Sequence, residues 1–196
     1  MAPTKHTIVA LVEDEPGVLN RISSLFRRRG FNIESLAVGP TDVPDISRMT
    51  IVVDGATTQV EQVTKQLYKV VEVVKVSDIS EEELVIRELA LIKVKATAST
   101  RSEIVQIVDV FRAGIVDVAL DSVIVEATGD EDKINSLIHL LRGFGIKEVV
   151  RTGRIALSRG ATTAAVPAEA AQPHHPSHHG KGFGPPRGKK QAYSTL

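Results

Sequence analysis

Apolar residues along this chain switch between strand-like runs and helical spacing, and they do so in the same order twice. Thr7–Val12 is a short apolar run that reads as a strand, and Val18, Leu19, Ile22, Leu25 and Phe26 then recur at helical intervals. Phe31–Val38 and Ser47–Val53 read as the second and third strands, the third closing on the turn signal Asp54-Gly55. Thr58 and Glu61 form a capping box ahead of the stripe Val60, Val63 and Leu67, and Val71–Val76 ends the half as a strand. The second half begins with a strand at Leu89–Ala96 and a capping box at Thr100 and Glu103. Its first helical stripe is Ile104, Ile107, Val108 and Phe111, stopped by Gly114. Strands at Ile115–Val118 and Ser122–Ala127 follow. A second stripe, Ile134, Leu137, Ile138 and Leu141, is closed by Gly143, and a last strand starts at Ile146–Val150 and runs on toward Leu157.

Each half is therefore βαββαβ, which predicts an α+β protein of two successive ferredoxin-like domains, each with two helices on one face of a four-stranded sheet. The predicted domains are residues 4–80 and 84–160, joined at Glu81-Glu82-Glu83. A sheet covered on one side leaves the other bare. Leu36, Val38 and Val52 are assigned to that bare face, which predicts association with a partner. Past Gly160, Ala, Pro, Gly, His and Lys replace the large aliphatics. Residues 161–196 are predicted to be a disordered tail that cannot bury enough surface to offset its ordering entropy.

Composition narrows the functions. Aromatics are 4% of the 196 residues, so the cores are aliphatic, and the absence of Cys excludes disulfides, thiolate metal sites and thiol catalysis. In the tail, Lys181, Arg187, Lys189 and Lys190 against Glu169 leave net +3 in a chain of net zero, so the remainder carries −3. A mildly acidic, aromatic-poor body argues against nucleic acid as a partner. No apolar run reaches the roughly 18 residues of a membrane helix. The run Ile8–Val12, broken at once by Glu13-Asp14-Glu15, is too short for a secretory signal, so a cytoplasmic protein is expected.

Catalytic signatures are missing. His6 and His139 are the only histidines before the tail, and there is no phosphate loop, His-Glu-x-x-His or dinucleotide fingerprint. The informative segment is the acidic loop Glu13-Asp14-Glu15-Pro16-Gly17 that opens the first helix. Free N–H groups at a helix start attract an anion, and the neighbouring carboxylates can hold a cation, a pairing that suits a small zwitterion such as an amino acid. Plainer readings exist for each residue: Asp14 as a group satisfying helix N–H donors, Gly17 as a turn glycine, Asn32 as a polar strand start. Arg27-Arg28-Arg29 reads as a solvated helix end opposing the helix dipole, and His174, His175, His178 and His179 as an adventitious metal-binding tract.

The segments Glu13-Asp14-Glu15-Pro16-Gly17-Val18-Leu19 and Arg29-Gly30-Phe31-Asn32-Ile33-Glu34-Ser35-Leu36 resemble an ACT domain. With Ser47-Arg48-Met49-Thr50-Ile51, Arg87–Val94, Phe111–Val118 and Gly153–Gly160 following in order, residues 7–160 resemble the regulatory (small) subunits of acetolactate synthase, also called acetohydroxyacid synthase. The resemblance implies an N-terminal ACT domain that dimerises side by side and binds valine, or a related branched-chain amino acid, at the interface. The effector residues carried over are Asp14, Gly17, Val18 and Leu19, with Asn32 and Ile33 from the facing subunit. It further implies a non-catalytic chain without a cofactor of its own. This chain would stimulate a separate catalytic (large) subunit that holds thiamine diphosphate, Mg and FAD, and make it inhibitable. Asp14 departs from the Asn that many members carry. The principal alternative is a stand-alone amino-acid sensor acting on another enzyme.

Overall fold

A computed structural model describes residues 5–54 and 60–160, together with residues 164, 165 and 167. The first half runs β1 (Lys5–Glu13), α1 (Val18–Arg29), β2 (Ile33–Pro40), β3 (Ile46–Asp54), α2 (Val60–Leu67) and β4 (Val73–Asp78). These strands form an antiparallel sheet in the order β2-β3-β1-β4. The second half runs β5 (Leu84–Lys95), α3 (Arg101–Val110), β6 (Gly114–Val118), β7 (Ser122–Gly129), α4 (Glu131–Leu141), β8 (Ile146–Arg151) and β9 (Ile155–Ser158). Its sheet order is β6-β7-β5-β8. The doubled βαββαβ reading holds, and so does its α+β class. Among the described residues no helix is long and apolar enough to cross a membrane.

Alternation along the strands sorts the two cores. Ile8, Ala10, Val12, Met49, Ile51 and Val53 point to one face of the first sheet, where Val18, Ile22, Leu25 and Phe26 of α1 and Val63 and Leu67 of α2 cover them. In the second half Ala90, Ile92, Val94, Val123, Val125 and Ala127 meet Ile104 and Val108 of α3 and Ile134, Leu137, Ile138 and Leu141 of α4. Helix α1 stops at Gly30, whose φ of 69° lets its N–H and that of Phe31 return to the carbonyls of Arg27 and Phe26.

Several local expectations shift. Gly114 does not stop α3: Arg112 takes the left-handed turn at φ 48°, and Gly114 already belongs to β6. The left-handed glycine after α4 is Gly145 rather than Gly143, because a single 3-10 turn over Arg142–Phe144 intervenes. Val71 is 89% exposed and lies before β4. Thr100 makes no side-chain cap bond to its helix. Its Oγ1 instead accepts from the Thr97 N–H at 2.9 Å. Thr58 and Gly55 lie outside the described residues, as does the tail called disordered except for residues 164, 165 and 167. Of those, Ala164 is buried in a small cluster with Val9, Ile79 and Ala156.

The expected bare face is the main correction. The β2–β3 register sets Leu36 opposite Ile51 and Val38 opposite Met49, so both side chains turn toward the helices. Val52 does lie on the other face, yet it is buried. Part of that face is covered by the same chain. The last strand is broken at residues 152–154, so that β8 pairs with the second part of β5 while β9 pairs with Leu84–Arg87. The β5–β9 ribbon lays Leu84, Ile86 and Ala156 over Val9. Polar contacts pin it: Arg48 Nη2 donates to the Ala156 carbonyl at 2.8 Å, and the Arg154 N–H donates to Ser35 Oγ at 2.8 Å. Glu131 at the start of α4 takes Lys5 of β1 at 3.1 Å and Arg154 at 2.9 Å. Burial raises the cost of ionising Glu131, but the Lys5 hydrogen bond and the charges of Arg154, Lys5 and Arg151 outweigh it and hold its carboxyl below the ordinary range.

Two outcomes test this junction. A Cβ on Gly153 would stand 2.1 Å from the Leu36 carbonyl oxygen, a backbone atom that cannot yield alone. Gly153→Ala should therefore lower stability by about 1–3 kcal/mol in urea unfolding and speed proteolysis near β9. Because the Glu131 pKa is depressed in the folded state, its contribution is present above the unfolded value of about 4.3 and lost as pH falls through the folded value. Glu131→Gln should therefore be less stable than the parent at neutral pH and lose less on acidification. Parallel stability–pH curves for the two proteins would show that this carboxylate does not couple the halves.

Candidate functional site

The loop from β1 into α1 is built to leave a helix start open. Its backbone is sewn down at both sides. The Glu13 N–H donates to the Glu72 carbonyl at 2.9 Å, and the Asp14 N–H to the Asp45 carbonyl at 2.8 Å. Gly17 then occupies the N-cap position at φ 94° and ψ −9°, with no side-chain cap and no acidic residue in the first turn. First-turn N–H groups of α1 thus lack the side-chain acceptor that usually satisfies them, and the positive end of the helix dipole faces the exposed Asp14-Glu15-Pro16 loop. The need for glycine here is conformational. Nothing lies within 4 Å of a Cβ built on Gly17, whereas its positive φ is one that L side chains rarely adopt.

The six candidate residues fall into two groups. Asp14, Gly17 and Leu19 surround the start of α1, with Leu19 47% exposed. Val18 is buried beneath the helices and belongs to the core. Asn32 is exposed and Ile33 packs partly against the core, both just beyond the other end of the same helix. The twelve residues of α1 lie between Gly17 and Asn32, about 18 Å at the rise of an α-helix. One chain therefore does not bring Asn32 and Ile33 to Asp14 and Gly17. β2, which follows Asn32, is an edge strand, paired on one side only by β3 among the described strands.

Three residues that sequence reasoning passed over support the loop. The Arg21 guanidinium, one turn into α1, contacts the Glu72 carboxylate, which is buried and has its second oxygen without a hydrogen-bond partner among the described residues. The available signal was Glu72 itself, a carboxylate inside the run Val70 to Val74. Asp45, which receives the Asp14 N–H, sits at φ 61° and had no such signal.

The corresponding loop of the second half is tied by its own hydroxyls and carries no carboxylate, although α3 likewise lacks a side-chain cap. Thr97 and Thr100 exchange bonds, with the Thr97 N–H donating to Thr100 Oγ1 at 2.9 Å and the Thr100 N–H to Thr97 Oγ1 at 3.3 Å. Only the first half pairs an uncapped helix start with an exposed carboxylate loop. Among the described residues no group of three His, Asp or Glu side chains is placed to hold a metal ion. The histidine tract of the tail lies outside them. Arg27, Arg28 and Arg29 occupy the exposed last turn of α1, where Arg29 donates to Gln66 at 3.1 Å.

Comparison with known proteins matches both halves. Residues 8–75 match the family described as the AHAS small subunit-like ACT domain, and residues 87–160 the small subunit of acetolactate synthase. A probable acetolactate synthase small subunit of Archaeoglobus fulgidus is 59% identical over 156 residues, covering 80% of this chain and 98% of that protein. The acetolactate synthase small subunit of Mycobacterium bovis is 52% identical over 160 residues, covering 82% and 95%. The crystal structure of the small subunit from Thermotoga maritima aligns with a TM-score of 0.75 at 42% identity, covering 81% of this chain and 99% of that one.

The Arg21–Glu72 pair makes a stability prediction at this loop. Arg21→Leu strands a buried carboxylate and should cost about 1–3 kcal/mol in urea unfolding. Adding Glu72→Leu should recover part of that loss. A double variant as unstable as the sum of the singles would show that the two side chains are not coupled.

Proposed function

The chain belongs to the acetolactate synthase small-subunit family, and on that footing we propose that it is a regulatory subunit that senses a branched-chain amino acid, valine first, and passes the signal to a catalytic subunit. The observation that carries the reading is the uncapped start of α1 at Gly17 beside the Asp14 carboxylate. The N–H groups suit the ligand carboxylate and Asp14 suits its ammonium. The 18 Å between the two residue groups favours a site completed by a second copy, Asn32 and Ile33 of one protomer meeting Asp14 and Gly17 of the other. The free edge of β2 is where the two copies would join. With Val18 committed to the core, discrimination among apolar side chains falls to Leu19 and Ile33. Valine buries two more carbons than alanine, about 1.6 kcal/mol or roughly tenfold in affinity.

In this reading the chain is not itself catalytic and works in the cytoplasm. Thiamine-diphosphate chemistry, with Mg and FAD, belongs to the large subunit. This chain raises that subunit's turnover, and valine lowers it by favouring one arrangement of the complex, with a coupling typically about 1–3 kcal/mol.

Reconstitution tests the whole proposal. The pure chain should form no acetolactate, its addition to a catalytic subunit should raise turnover, and valine should reverse the gain. Gly17→Asp should spare stimulation and remove the valine response. Aspartate tolerates the left-handed conformation better than most residues, and its charge occupies the helix start that the ligand carboxylate needs. Thiamine-dependent synthesis by the chain alone, or unchanged turnover of the catalytic subunit, would overturn the reading. Loss of stimulation together with the valine response in Gly17→Asp would move the effector site elsewhere.

A further inference from the structure

On the face of the first sheet away from α1, a groove of about 440 Å³ opens between β2 and β3 on one side and the β5–β9 ribbon on the other. Its size falls within the roughly 300–1,000 Å³ typical of small-molecule sites. Ala37, Val85, Ile155 and Leu157 give it aliphatic walls, and Arg48 and Arg87 give it two guanidinium groups. No Asp or Glu lines it.

Among the described residues both cations stand without a counter-ion. Arg48 uses one nitrogen on the Ala156 carbonyl at 2.8 Å, and Arg87 uses one on the Ile86 carbonyl at 2.7 Å. A guanidinium carries five N–H donors, so each retains donors suited to a carboxylate. Arg48 is half-buried, and that burial draws its pKa down from the ordinary value with no acidic neighbour to offset the cost. Charge in such a partly dry site attracts an anion more strongly than it would in water. Ile155 and Leu157 stand 61% and 60% exposed at its rim.

The charge pattern separates this groove from the loop before α1. That loop offers an anion site and a carboxylate together, which suits a zwitterion. The groove offers cations and aliphatic surface but no carboxylate to hold an ammonium. We propose that it is a second ligand site, for a short branched aliphatic carboxylate that carries no amino group. A molecule bound there touches strands of both halves and so stabilises the contact of β9 with the first sheet. This proposal does not depend on the effector reading, because it uses different residues and a different ligand charge.

The test is a titration of the full, isotopically labelled chain with 3-methylbutanoate, read from backbone amide resonances. Saturable shifts are expected at Val38, Gly39, Val85, Arg87 and Leu157. Acetate, which has the charge without the branched body, should bind there about tenfold more weakly. Valine should leave the Val85, Arg87 and Leu157 resonances unmoved, whatever it does at Asp14 and along β2. Arg87→Met should weaken binding at least about tenfold, the scale of one charge-assisted contact. Arg87 is exposed and among the described residues its side chain bonds to its neighbour's carbonyl, so this variant keeps the fold, and unchanged resonances elsewhere verify that. Arg48→Met should act in the same direction. Absence of saturable shifts at the groove, an equal response to valine at Val85, Arg87 and Leu157, or full binding by Arg87→Met would overturn the proposal.

Discussion

Two helices can cover only one face of a four-stranded sheet, and the way this chain treats the other face governs the rest of its architecture. β1 lies in the interior of the first sheet and is buried on both sides: Ile8, Ala10 and Val12 under the helices, Val9 under the β5–β9 ribbon. Covering Val9 requires β9 to leave the second sheet's plane of pairing and run beside the first part of β5. That in turn requires the chain to cross β2 at Gly153, where a side chain has no room. The Lys5–Glu131–Arg154 cluster and the Arg48–Ala156 bond lie around this crossing. The two halves are thus held by one small apolar cluster rimmed with charge, an arrangement more polar than a domain core and suited to a joint that a ligand or partner can bias.

Function follows from a difference between two similar halves. Both place a loop between their first strand and first helix. In the second half Thr97 and Thr100 bond to each other, and a helix start that also lacks a side-chain cap carries Glu103 in its first turn. In the first, Gly17 has no side chain to offer, and the helix start stays open to an outside acceptor. The cost of that opening is met by the tethers to Glu72 and Asp45, which hold the loop in place without filling it. The proposed sensing of valine rests on this asymmetry, and the proposed need for two copies rests on the length of α1.

Much of this was legible in the residues. The doubled strand and helix order appears in the apolar periods, because side chains repeat every two residues in a strand and every 3.6 in a helix, whatever packs against them. The stop at Gly30 and the opening at Gly17 were visible because a positive φ favours glycine. Errors arose where a second residue could meet the same demand. Arg112 took the left-handed position expected near Gly114, and Thr100 bonded to Thr97 instead of its helix. The family was legible from motif order across residues 7–160, and the comparisons show it.

What the sequence alone determined is therefore local and periodic: the elements, the α+β class, the glycine-marked loop and the family. What only the tertiary structure decided is everything that depends on contacts between residues distant along the chain. It turned Leu36 and Val38 toward the helices, since strand register depends on a partner strand. It paired Arg21 with Glu72, 51 positions apart, and brought Arg48 to Ala156 across 108. It also placed Asp14 and Asn32 at opposite ends of one helix. No period or motif encodes such distances, because they are fixed only when two elements with separate local rules pack against each other.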